Sequence, residues 1–103
     1  MQGASVLKVP NGKLVKARVD FVERLERVQI TGDFFMHPEE GIANIEQALN
    51  GLKANSTSGE LEKAIQRAVL LNQMELVGVD AESLARAVQM AVENGRKGNG
   101  QNP

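Results

Sequence analysis

Apolar and charged residues alternate through the first third of the chain. In residues 15–21 every second residue is apolar, and each residue between them is charged. The alternation returns at Val28 and Ile30, which are separated by a polar residue. A period of two puts the apolar side chains on one face of a strand and the polar ones on the other. Both runs therefore predict half-buried strands.

A third strand is predicted before these two. Leu7 and Val9 flank Lys8, and the Asn11–Gly12 pair that follows favours a tight hairpin turn, because both residues tolerate positive φ. The simplest assembly is an antiparallel three-stranded meander with one apolar face. Its other face would carry four basic residues: Lys8, Lys16, Arg18 and Arg27.

The spacing of apolar residues becomes helical after Pro38. That proline suits the first position of a helix, where its missing N–H is not needed, and Glu39 and Glu40 follow at the positive end of the helix dipole. Asn50–Gly51 is the predicted end of this helix. Its apolar face is formed by residues three or four apart, which are Ile42, Ile45, Leu49 and Leu52.

Two further helices are predicted. Thr57 and Glu60 have the spacing of a capping box, so a second helix starts there and ends near Asn72. Asp80 caps a third helix, which Asn94–Gly95 is expected to close. Between them, residues 73–79 are apolar but short, and they fit either a connector that closes the core or an exposed docking ridge.

The predicted order is βββααα, which indicates an α+β fold with the helices packed on the apolar face of the sheet. Residues 1–95 would form one domain, and residues 96–103 are expected to be a disordered tail. At 103 residues, the chain can form one modest core.

Composition removes several kinds of chemistry. The chain has no cysteine and a single histidine, so thiolate catalysis and thiolate-ligated metals are excluded. No phosphate-binding glycine motif occurs, which argues against a complete ATP-dependent enzyme. A net charge of −1 and 3% aromatic residues argue against nucleic-acid binding, and no apolar run is long enough for a membrane span. We expect a cytoplasmic protein.

Charge is unevenly divided along the chain. Residues 1–37 carry a net charge of +2, residues 38–95 carry −5, and the last eight residues carry +2. The basic residues of the strands could attract phosphates or an acidic carrier protein, or they could form a solvated outer sheet face. The acidic residues at positions 20, 23 and 26 would weaken any positive field.

Two of the three phenylalanines are adjacent, at Phe34 and Phe35, just before the first helix. As strand residues they would point to opposite faces, so one of them would be presented to a partner. Alternatively, the strand ends at Gly32 and both rings fill the core. Asp33 is either a functional carboxylate or a turn residue bonded to nearby backbone N–H groups. His37 is a weak candidate for a general base and a better one for a helix cap or a subunit contact.

The segment Thr31-Gly32-Asp33-Phe34-Phe35, followed by Pro38-Glu39, resembles the signature of the C-terminal accessory domain of lipoate–protein ligases. Residues 11–15 resemble the second-strand entry of that family, and residues 45–51 resemble its Leu-Glu-x-x-Leu-x-Gly helix end, with Ile45 replacing leucine. The resemblance spans residues 6–95. It implies a fold similar to the SufE/NifU-like fold of iron–sulfur scaffold and sulfur-acceptor proteins, whose cysteine chemistry is excluded here.

The resemblance also implies a role as a separate small subunit. In this family a large domain or subunit holds lipoate, ATP and the catalytic lysine, and the small one is needed to form lipoyl-adenylate. The lipoyl group then passes to a lysine of a carrier domain of 2-oxoacid dehydrogenases or of the glycine cleavage H protein. The implied assembly is a heterodimer that uses lipoate, ATP and Mg, none of them bound by this chain alone.

The candidate interface with the large subunit is the family motif region, in which Phe35 and Met36 are expected to make direct contact. Its members are Gly32, Asp33, Phe34, Phe35, Met36, His37, Pro38 and Glu39. The alternative is a non-catalytic module of the same fold that docks carrier proteins without any part in adenylation.

Overall fold

Three long strands form the predicted antiparallel meander. The computed structural model describes residues 1–10 and 13–98, and in it β1 (Gln2–Lys8), β2 (Leu14–Phe21) and β3 (Leu25–Gly32) pair in the order β1-β2-β3. β1 begins five residues earlier than the Leu7 expected from the sequence. The predicted turn residues Asn11–Gly12 lie outside the described residues.

One face of this sheet forms the core, as the alternation predicts. Residues 15, 17, 19 and 21 of β2 are all buried, and so are Val28 and Ile30 of β3. The helices α1 (Gly41–Leu49), α2 (Ser58–Leu71) and α3 (Ala81–Arg96) lie on that side. α3 packs on β1 and β2, α1 packs on β3, and α2 packs against the other two helices. The α+β class is confirmed, whereas the SufE/NifU-like resemblance stays a prediction.

Local sequence signals place both ends of α2 and the start of α3 correctly. The Thr57 hydroxyl accepts the backbone N–H of Glu60 at 3.1 Å, and the Glu60 carboxylate accepts the N–H of Thr57 at 2.8 Å. α2 ends at the predicted position, with Asn72 as its C-cap. The Asp80 carboxylate accepts the N–H of Ser83 at 2.8 Å, which caps α3.

The predicted start of α1 is wrong. Pro38 does not occupy the first helical position, because His37 belongs to a short strand and the chain needs a turn over residues 38–40 before the helix begins. The His37–Pro38 peptide is cis, and the Pro38 carbonyl accepts the N–H of Gly41 at 2.9 Å. Glu39 and Glu40 are exposed in this turn.

The predicted end of α3 is also wrong, because Gly95 lies inside the helix. A Cβ at Gly95 would stand 2.7 Å from the Gln2 carbonyl oxygen and 2.8 Å from Cε1 of Phe21. Glycine therefore permits close contact between helix and sheet here. Arg96, expected in a disordered tail, ends α3 with its guanidinium 5.6 Å from the centroid of the Phe21 ring. Residues 99–103 of that tail lie outside the described residues.

Side chains from the helices protect both edges of the three-stranded sheet. At the β1 edge, the Asn94 amide of α3 donates to the Ala4 carbonyl at 2.8 Å. At the β3 edge, the Glu46 carboxylate of α1 accepts the Ile30 N–H at 2.8 Å. An unpaired edge is a template for strand addition, and each of these bonds occupies one backbone group of an edge strand.

A second, two-stranded sheet interrupts the predicted order. β4 (Phe35–His37) pairs antiparallel with β5 (Glu75–Val77), so that residues 73–79 contain a short strand between α2 and α3. The observed order is β1-β2-β3-β4-α1-α2-β5-α3. We call β4 and β5 together the ribbon.

Candidate functional site

The motif begins where the large sheet ends, at Gly32 and Asp33, which lie against Leu14 of β2. A Cβ at Gly32 would stand 2.3 Å from the Leu14 carbonyl oxygen, so only glycine fits this crossing. Asp33 then makes two hydrogen bonds with the backbone of Leu14. Its Oδ1 accepts the Leu14 N–H at 2.7 Å, and its own N–H donates to the Leu14 carbonyl at 3.3 Å. These bonds match the interpretation of Asp33 as a turn residue that binds nearby backbone.

The next residues alternate between the core and solvent. Phe34 is half-buried and packs against the core, and Met36 is buried with 6% of its surface exposed. Phe35 between them is 68% exposed. The strand does end at Gly32, yet only one of the two rings reaches the core. The expectation that Met36 contacts a partner directly does not fit its burial, since β4 points that side chain inward.

An exposed apolar pair stands on the outer side of the ribbon. Phe35 lies opposite Val77 in the β4–β5 register, and Val77 is 44% exposed. Directly opposite residues on one face have Cβ atoms about 4.5–5.5 Å apart, so these two side chains form one apolar patch. The sequence could indicate Phe35 as a candidate, but its pairing with Val77 requires the ribbon.

Acidic residues surround this patch along the chain. His37 lies opposite Glu75 at the other end of the ribbon, and both are exposed. Glu39 and Glu40 follow in the exposed turn, and Asp33 precedes the strand. The residues that precede and follow the apolar pair along the chain are thus mostly acidic, and the Asp33 carboxylate among them is bonded to Leu14.

Packing beneath the ribbon fixes it to the helices. Met74 is buried, and its N–H donates to the Val69 carbonyl at 2.9 Å. A Cβ at Gly41 would stand 2.5 Å from Cε of Met74, so the start of α1 rests directly on this side chain. Residues 73–79 therefore combine both interpretations of the sequence, with a connector at Met74 and an exposed position at Val77.

The ribbon differs from the large sheet in its edges. Within residues 1–10 and 13–98, no hydrogen bond joins the outer edge of β4 or of β5 to another described element. Both strands have only three residues, and an isolated ribbon of this length is marginal in water. An exposed apolar pair on a ribbon with unpaired edges is typical of a surface that a partner completes.

Across the described residues, no three His, Cys, Asp or Glu residues are placed to hold a metal ion. Thr57 serves the α2 cap, and the neighbouring Ser56 hydroxyl donates to the Lys53 carbonyl at 2.7 Å. In the described part of the chain, no helix has the length and apolar character needed to cross a membrane.

Comparison with solved structures finds a protein of similar fold. No family model matches the chain, and no curated protein matches it. Among solved structures, the chain is similar to one from an archaeal lipoylation system of Thermoplasma acidophilum, described as a bipartite lipoate protein ligase and its E2 lipoyl domain. The identity is 25%, the TM-score is 0.71, and the match covers 85% of this chain and 94% of that one. This likeness confirms the resemblance to the lipoate–protein ligase accessory domain that residues 31–39 indicate.

Proposed function

We propose that this protein is the accessory subunit of a two-chain lipoate–protein ligase. A catalytic large subunit would bind lipoate, ATP and Mg²⁺, and this chain would dock on it as a heterodimer. The first half-reaction joins the lipoate carboxylate to the α-phosphate of ATP and releases pyrophosphate. In the second, the amine of a carrier lysine forms an amide with the lipoyl group, and AMP leaves. This chain would be required for the first step.

The observation that carries the proposal is the structural match to nearly all of a chain from a bipartite ligase system. The match spans 94% of that chain, so the likeness extends over nearly its whole length. The lack of a phosphate-binding motif in the sequence agrees with a subunit that acts through another chain. Its contribution would be to order or cover the loops that hold the adenylate and to exclude water from it.

The ribbon is the proposed contact with the large subunit. A phenylalanine side chain can bury about 150–250 Å², and about two-thirds of Phe35 remains exposed, so covering it would contribute roughly 3 kcal/mol at about 25 cal/mol per Å². Anchor aromatics of this kind commonly dominate the energy of an interface. Met36 would support Phe35 from beneath, because it fixes β4 on the core.

Adenylate formation by the purified large subunit, with and without this chain, tests the proposed function. We expect lipoyl-adenylate only when both chains are present. If the large subunit is equally active alone, the adenylation role is wrong and the carrier-docking alternative takes its place.

The ribbon contact is tested by Phe35→Ala, which we expect to weaken binding to the large subunit tenfold or more without unfolding the chain. Val22→Ala is the matched control, since Val22 is a 57% exposed apolar residue in the β2–β3 turn, at the other end of the sheet. Equal binding by Phe35→Ala and wild type would show that the ribbon is not the contact.

A further inference from the structure

The face of the β1-β2-β3 sheet that points away from the helices collects basic side chains. Lys16 and Arg18 of β2 and Arg27 of β3 are exposed there, and Lys8 of β1 lies at one end. Asp20 is the acidic residue that the register places among them, opposite Arg27. We call these five residues the basic face. Their net charge of +3 contrasts with the −5 of residues 38–95.

The basic face is concave. A depression of about 630 Å³ lies on this face and is lined by Lys16, Arg18, Asp20 and Arg27, by the exposed apolar side chain of Val6 and by the amides of Gln2 and Gln29, whereas Lys8 lies outside it. The described helices pack on the opposite face, so none of them covers this depression. A register shift between Asp20 and Phe21 accompanies it, and such bulges increase the local twist of a strand.

We propose that the basic face docks the acidic surface of the lipoyl-accepting carrier domain, an inference that rests on the proposed function. Segregated charge on a chain with a net charge of −1 makes the molecule dipolar, which orients an acidic partner toward the sheet before contact. The amides of Gln2 and Gln29 add neutral hydrogen-bonding groups beside the cations. Docking here would leave the ribbon free for the large subunit.

The face fits an acidic protein better than a nucleic acid. Phe21 is buried in the core, and Phe34 and Phe35 belong to the motif segment, so the basic face has no aromatic ring on which bases could stack. Asp20, which lies opposite Arg27 at one end of the basic face, would repel a phosphate backbone but could pair with a lysine of a protein partner.

Charge-reversing substitutions on the basic face test the docking site independently of the proposed function. The test variant is Arg18→Glu/Arg27→Glu, and the control is Lys63→Glu/Arg67→Glu, which makes the same change in net charge on the exposed side of α2. Binding of a purified E2 lipoyl domain from the same organism is measured by calorimetry at low and at physiological salt. Adenylate formation and lipoyl transfer are then measured separately with the large subunit present.

We expect the test variant to bind the lipoyl domain at least tenfold more weakly and to raise the KM for that domain in the transfer step. Adenylate formation should be unchanged, and the control should resemble wild type. If the test variant loses no affinity, or if the control loses as much, the basic face is not the docking site. Wild-type binding that does not weaken with added salt would also overturn it.

Two further outcomes have fixed meanings. Tight binding of a labelled oligonucleotide to the basic face, without binding of the lipoyl domain, would replace the protein partner by a nucleic acid and refute the proposal. Failure of the chain to stimulate adenylation would refute the proposed function, and the calorimetric result would then still decide the docking site. If charge reversal unfolds the chain, Arg18→Gln/Arg27→Gln removes the same two positive charges without adding negative ones, and the same binding measurements apply to it.

Discussion

The contact between α3 and β1 predicts that Gly3→Ala is strongly destabilising. A Cβ at Gly3 would stand 1.8 Å from the Ala91 carbonyl oxygen, whereas an ordinary contact begins near 3.4 Å. The helix and the strand would have to separate by about 1.5 Å, and both atoms belong to secondary structure, so no rotamer change can relieve the overlap. The clash therefore acts on the fold as a whole.

The expected magnitude follows from the packing and from the bonds across the contact. Forcing an extra methyl group into a packed core costs about 1–3 kcal/mol. Separation would also strain two bonds that join α3 to β1, from Ser5 to the Ala87 carbonyl at 2.6 Å and from Asn94 to the Ala4 carbonyl at 2.8 Å. Each is worth about 1 kcal/mol. We expect a loss of about 3 kcal/mol or more, or a Tm lower by about 10–20 °C.

Urea unfolding, monitored by far-ultraviolet circular dichroism, measures this loss of stability. The control is Gly59→Ala in the first turn of α2, where the nearest atom to a new Cβ is 3.8 Å away, at the Thr57 hydroxyl. Alanine there should be neutral or should stabilise the chain by up to about 1 kcal/mol, because it reduces the conformational entropy of the unfolded chain. If Gly3→Ala unfolds at the same urea concentration as wild type, the close contact of α3 with β1 is wrong.

Two hydrogen-bond predictions accompany this one. Thr57→Ala removes the cap of α2 and should lower the free energy of unfolding by about 1 kcal/mol, which is measured as a lower urea midpoint. Thr57→Ser should retain most of the stability. Glu46→Ala leaves the Ile30 N–H without its acceptor, so we expect the free energy of unfolding to fall by about 1–3 kcal/mol and the Ile30 amide to exchange its hydrogen faster. Glu46→Gln retains an acceptor oxygen and should lose less stability. Unchanged exchange in Glu46→Ala would show that Glu46 does not protect the β3 edge.

The parts of this fold that the sequence predicts are those that local physics decides. Alternation in residues 15–21 identifies the buried face, because a strand exposes every second side chain whatever surrounds it. The Thr57–Glu60 capping box is equally local, since both of its bonds span three residues. Such signals need no knowledge of the rest of the chain.

The errors fall where one residue type serves two purposes. Gly95 fits a helix stop as well as a close contact, and only the presence of β1 beside it shows which applies. The ribbon was missed because strands of three residues carry too little alternation, and β4 pairs with a segment far along the chain. Residue type alone could not place Phe35 outside the core and Met36 inside it, since that division depends on the same pairing.

The difference between the edges of the large sheet and those of the ribbon links the fold to the proposed function. The large sheet carries helix side chains at both edges, on Ala4 and on Ile30, and so resists adding a strand. The ribbon lacks such protection among the described residues and places Phe35 and Val77 beside its unpaired edges. Phe35 and Val77 thus form an exposed apolar pair. Its exposure is accounted for if a second protein covers it, so Phe35→Ala should affect binding far more than stability.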